Sequence, residues 1–178
     1  MSKRVLILSS SPRAKGNSNA LCDEFARGAA EARHKVEKVM LAGKNIGYCQ
    51  GCDACRPAGV CVQNDDMAPI LDQMMAADVI VLATPVYFYT MCAQLKTAID
   101  RTVARYTQIV NKDFYFILTA ADGSRKAMQR TVESLRGFTS CLNGAKEKGI
   151  VYGTGAWEVG EILASPAMHK AYEMGRAC

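Results

Sequence analysis

Residues 4–21 read RVLILSSSPRAKGNSNAL: an apolar run breaks into serines, then into a polar turn, then into a helical segment. Val5, Leu6, Ile7 and Leu8 are apolar without alternation and are bounded by polar residues, the pattern of a strand buried on both faces. From Leu21 the apolar residues recur instead at helical spacing, through Phe25, Ala29 and Ala32. Strand, turn and helix in that order make the first half of a βα unit.

The same alternation continues along the chain. Buried strands are expected at DVIVLATP from Asp78, FYFILTA from Phe114 and GIVYGTG from Gly149. A weaker strand, KVEKVML from Lys35, alternates apolar with charged residues and suits a sheet edge. Met67, Ile70, Leu71, Met74 and Met75 fit one helical face after the capping residues Asn64 and Asp65. Met91, Leu95, Ala98 and Thr102 form another stripe, Met128, Val132 and Leu135 a third, and a short helix is expected after Pro166. Five strands alternating with helices predict a doubly wound α/β fold, with a five-stranded parallel sheet and helices on both faces.

Length and composition bound the function. The 178 residues suit a single domain over 1–178, with 49% apolar and 22% charged residues. The apolar run near the N-terminus is too short for a signal peptide, and no stretch approaches a bilayer span, so no membrane partner is expected. The net charge of +5 is spread along the chain, which argues against nucleic acid and for mild attraction to phosphorylated small molecules. Eight cysteines without an export signal point to the cytoplasmic compartment.

In a doubly wound sheet, ligands bind beyond the carboxyl ends of the strands. The first such loop, residues 9–21, offers serine hydroxyls, Arg13 and a helix N-terminus, a set suited to a terminal phosphate. It is neither a Walker A loop nor a G-x-G-x-x-G fingerprint. The loop after Ala83 carries Tyr87, Phe88 and Tyr89, whose flat faces suit a planar conjugated ring. Ala120, Ala121, Asp122 and Gly123 make a small-residue turn that lets a ligand edge approach the backbone. The G-x-G of GTGAWEVG is a weak dinucleotide signal. His34 and His169 lie far from these loops, and helix capping explains Asp65 and Asp66 better than acid–base pairing.

Four cysteines, Cys49, Cys52, Cys55 and Cys61, fall within thirteen residues as C-x2-C-x2-C-x5-C. Thiols at every third residue can converge on one small object, which favours an iron–sulfur cluster over zinc, whose ligands usually split into two separated pairs. A vacant reduced loop and a disulfide are the other readings of the spacing.

SSSPRAKGNS, PVYFYTMCAQLKTAIDR and the cysteine run resemble the flavodoxin-like NAD(P)H-dependent FMN reductases, and within them the iron–sulfur flavoprotein branch. The resemblance covers about Val5 to Arg101 and, more loosely, the segment near Trp157. It implies strand order 2-1-3-4-5 and non-covalent FMN, making the chain an FMN-binding domain with a cysteine-rich loop at about 42–66. Ser11, Arg13, Asn17 and Ser18 would hold the phosphate. Pro85, Val86, Tyr87, Phe88 and Tyr89 would lie along the isoalloxazine, with Asp122 and Gly123 at its other edge. Cys49, Cys52, Cys55 and Cys61 match the motif for a [4Fe-4S] cluster. The resemblance further implies an FMN oxidoreductase with NADPH or NADH as donor, no catalytic side chain, an unidentified electron acceptor, and a homodimer or homotetramer. The alternatives are the same reductase with a vacant cysteine loop, or a non-catalytic redox or metal sensor.

Overall fold

In the computed structural model, which describes all 178 residues, β1 (Arg4–Ser9) is buried along all but its first residue. The chain continues through α1 (Asn17–Glu31), β2 (Lys35–Met40), the one-turn helix α2 (Cys55–Ala58) and α3 (Met67–Ala76). Next come β3 (Val79–Tyr87), β4 (Thr90–Met91), α4 (Ala93–Arg101) and β5 (Asp113–Thr119). Then follow α5 (Gln129–Ser140), β6 (Lys146–Gly153) and α6 (Pro166–Ala177).

The long strands lie in the order β2-β1-β3-β5-β6, and every neighbouring pair is parallel. This is the expected 2-1-3-4-5 order. The side-chain period of two divides each central strand between two cores. Leu6, Leu8, Ile80, Leu82, Phe114 and Phe116 face a layer of α3, α4 and α5. Val5, Ile7, Val79, Val81, Tyr115 and Ile117 face α1 and α6. Because both faces are covered, these strands read as continuous apolar runs rather than alternating ones.

The strand count differs from the expected five. β3 runs on past Pro85 to Tyr87 and doubles back as β4, pairing Val86 with Met91 and Tyr87 with Thr90 antiparallel. Phe88 and Tyr89 form the two-residue turn at φ 48° and 66°, the left-handed values that a type I′ hairpin requires at both positions. Asn-Gly normally announces that turn. Two aromatics there gave no such signal, and they carry the backbone strain instead. Met91 consequently belongs to β4, and the helix of that stripe begins at Ala93. The cysteine-rich segment lies between β2 and α3, where α2 was not expected because its four residues are too few to show a period.

Candidate functional site

The loops leaving β1, β3, β5 and β6 at their carboxyl ends enclose a crevice of about 620 Å³. That is ample for a cofactor-sized molecule. Of the expected residues, Ser11, Arg13, Asn17, Ser18, Pro85, Val86, Tyr87 and Phe88 line it. Tyr89 and Asp122 instead line a neighbouring, more open cavity, and Gly123 lines neither. The Asp122 carboxylate accepts the Ser124 amide at 2.7 Å within its own turn.

The β1 end of the crevice is built for an anion. α1 starts without a side-chain cap because its N-cap is Gly16. Its first-turn amides therefore lack the side-chain acceptor that usually serves them. A methyl group on Gly16 would stand 2.5 Å from Ser11 Oγ and 3.0 Å from the Arg13 carbonyl, so only glycine leaves this turn open. Ser18 Oγ is buried and has no hydrogen-bond partner. A buried hydroxyl left unpaired is costly, and an added acceptor there would relieve it.

Two expected ligands are partly engaged elsewhere. The Asn17 amide donates to the Glu158 carbonyl at 2.8 Å and accepts the Gly160 amide at 3.0 Å. Arg13 Nη1 donates to the Trp157 carbonyl at 2.9 Å, which leaves the rest of its fork free. Both side chains pull the loop after β6 over the crevice. That loop contributes Ala156 and Trp157 to the lining, together with Thr119, Ala120 and Ala121 from the β5 loop. The G-x-G of this loop is uninformative as a dinucleotide motif, and the resemblance reaches the segment only loosely. Trp157, the chain's one tryptophan, was the available signal.

The β3 wall is apolar and aromatic. Thr84 Oγ1 accepts the Cys92 amide at 3.0 Å, and Cys92 Sγ donates to Ser10 Oγ at 3.0 Å, locking the start of α4 to the ends of β1 and β3. Beyond this anchor the rim is bare: Phe88 is 99% exposed and Trp157 is 63% exposed. An anion-binding pole at one end and flat apolar surface at the other match a phosphate-bearing planar ring, and on these observations FMN fits.

The cysteine loop forms a second, smaller recess of about 70 Å³, lined by all four of Cys49, Cys52, Cys55 and Cys61 and by Arg101. All four thiols are free. They share this recess without closing into a single-ion ligand group. As a donor set they fit a cluster, whose thiolates sit on separate irons rather than around one ion.

Asp65 was expected to cap α3, and it does accept the Met67 amide at 3.1 Å. Its main partner is Arg101, at 2.6 and 3.0 Å, in a pair buried on both sides. Burial alone raises the Asp65 carboxyl. Hydrogen bonds from Arg101 and from the Gly47 and Met67 amides outweigh that and hold the acid below its ordinary value. No local pattern announces this pair, because 36 residues separate its members.

The sequence profile of the NADPH-dependent FMN reductase family matches residues 3–157. An iron–sulfur flavoprotein of Archaeoglobus fulgidus is 41% identical over 99 residues, which is 56% of this chain and 44% of that protein. One from Methanosarcina thermophila is 33% identical over 134 residues, 74% of this chain and 70% of that protein. The matched stretch spans about half the length of most of these curated relatives. Among solved structures, an azoreductase from Bacillus anthracis superposes at TM-score 0.76 with 18% identity over all of both chains. An NAD(P)H:quinone oxidoreductase from Methanothermobacter marburgensis does so at 0.73 with 18% identity, over 99% of this chain and 96% of that one. The structural likenesses carry the fold and the profile carries the family: this chain belongs to the NADPH-dependent FMN reductase family.

Proposed function

We propose that this chain is an FMN-dependent oxidoreductase, a single FMN-binding domain over 1–178, reduced by NADPH or NADH and passing electrons to an acceptor of unassigned chemistry. The observation that carries the reading is the polarity of the crevice, with the orphaned Ser18 hydroxyl and uncapped α1 amides at one end and Tyr87 and Phe88 at the other. Bound FMN would supply acceptance of a hydride and release of electrons to a second substrate.

The protein's own part in this reading is to bind, orient and shield. Ser11, Ser18, Arg13 and the backbone at Asn17 hold the phosphate. Pro85, Val86, Tyr87 and Phe88 lie along the ring, with Ala120 and Ala121 at its other edge and Asp122 and Gly123 next to them in the same loop. No side chain acts as acid or base. The exposed aromatic rim is the surface on which a homodimer or homotetramer would close. No helix is long and apolar enough to cross a membrane, and the free thiols suit a reducing cytoplasm.

The second part of the reading is a [4Fe-4S] cluster on Cys49, Cys52, Cys55 and Cys61, favoured by their shared recess. One preparation tests both parts. Protein purified without oxygen is expected to carry a yellow chromophore that NADPH or NADH bleaches, with iron and acid-labile sulfide in equal amounts. Colourless protein that takes up no FMN would point to the redox or metal sensor. Bleachable flavin without iron would leave the reductase standing and overturn the cluster.

A further inference from the structure

Arg101 is the last residue of α4 and is only 2% exposed. Arginine is almost never this buried without a specific task, because removing its charge from water is expensive. Three partners account for most of its donors. Nη1 donates to the Gly47 carbonyl at 2.6 Å, Gln63 Oε1 at 3.3 Å and Asp65 Oδ2 at 2.6 Å. Nη2 donates to Asp65 Oδ1 at 3.0 Å. Gly47 and Gln63 flank the cysteine run on either side, so one guanidinium ties both of its ends to α4.

One of its nitrogens is left without any partner. Arg101 Nε is buried and has no hydrogen-bond partner. The protein offers it no oxygen, yet Arg101 lines the recess shared by all four cysteines. Cys61 and Arg101 line two adjoining recesses together. A buried, unpaired N–H on a residue that lines a recess of thiols wants a sulfur that accepts well, and a thiolate bound to iron is such an acceptor.

We propose that Arg101 is the positioning residue of the cysteine site, shaping the loop through Gly47, Gln63 and Asp65 and supplying Nε–H to sulfur at Cys61. The inference rests on the reading that the loop holds an iron–sulfur cluster. A cluster on four thiolates is anionic, and its reduced form is more so. Hydrogen bonds to sulfur and nearby positive charge therefore favour the reduced form and raise the potential. Arg101 tunes the centre as well as holding its ligands. Because α4 begins at the crevice, where Cys92 and Ala93 are part of the lining, the residue that tunes the recess shares a helix with the flavin wall.

The test compares wild type, Arg101→Lys and Arg101→Gln, all purified without oxygen. Iron, acid-labile sulfide, FMN content and melting temperature are measured on each. Cluster potential is read by dithionite titration followed by electron paramagnetic resonance. Lysine keeps the charge beside Asp65 but lacks the guanidinium fork. Its protein should keep FMN, hold a cluster that reduces at a more negative potential, and lose iron in air several-fold faster. Glutamine removes the charge too and should shift the potential further, or prevent loading while FMN remains bound. Wild-type potential and air stability in both variants would overturn the proposal. If the glutamine protein does not fold, the lysine protein decides alone. Wild type without iron and sulfide is a separate failure, because it overturns the cluster reading itself.

Discussion

Ser18 Oγ and Arg101 Nε are the two buried side-chain polar atoms that lack a hydrogen-bond partner. One lies in the crevice and the other at the cysteine recess. An interior that satisfies its other polar side chains leaves orphans only where something else is meant to bond them. Ser18→Ala separates this from a packing defect. Deleting an unpaired buried hydroxyl should leave the melting temperature of the flavin-free protein unchanged or slightly higher. FMN affinity should fall by about 1.5–3 kcal/mol, the value of a hydrogen bond to a charged group. Trp157, alone of its kind and on the crevice lip, gives a fluorescence titration to read it. Unchanged FMN affinity would remove Ser18 from the phosphate site. Serine was legible in the sequence as a phosphate donor. Its unpaired state was not, because that depends on what every neighbour does with its own hydrogen bonds.

Elements were legible where a period ran long enough to count. The central strands and α1, α3 and α5 announced themselves through continuous apolar runs and helical stripes. The hairpin of β3 and β4 did not, since its turn uses Phe88 and Tyr89 against the usual chemistry. Helix contacts also escaped the sequence. α1 and α6 pack so closely that a methyl on Gly28 would collide with the Tyr172 carbonyl, and one on Gly175 with that of Phe25. Intrinsic helix propensity says that Gly→Ala stabilises a helix by about 1 kcal/mol. At Gly137, exposed on α5 with open space around it, that gain should be realised. At Gly175 the backbone of α1 cannot yield, and Gly175→Ala should cost roughly 2–3 kcal/mol as overpacking outweighs propensity. For a chain of this size each kcal/mol moves the melting temperature by about 2–4 °C. Thermal unfolding should therefore move the two variants in opposite directions. Two shifts of the same sign would mean that α1 and α6 are not pressed together in solution.

At the scale of the whole molecule, the crevice draws on loops after four different strands, and the cysteine recess on a connection at one edge of the sheet. A ligand that joins four loops should stabilise the sheet as a unit. A ligand of the recess should stabilise chiefly the segment between β2 and α3. At FMN one hundred times above its dissociation constant, mass action adds about 2.7 kcal/mol to the folded state. That corresponds to a rise in melting temperature of about 5–11 °C for a chain of this size. α4 links the two sites, with Ala93 on the crevice and Arg101 on the recess, about 12 Å apart at the helical rise of ~1.5 Å per residue. Amide hydrogen exchange resolves the two contributions. FMN should slow exchange together in residues 10–18, 84–92, 119–122 and 155–160, the loops it gathers, while residues 49–61 keep their rates. In protein that carries the proposed cluster, chelating its iron should reverse the pattern, freeing 49–61 and leaving the four loops protected. FMN protection that spread equally through 49–61 would mean that the recess is an extension of the flavin site, not a second centre. The selective pattern would make α4 a spacer that holds two independent centres at a fixed distance.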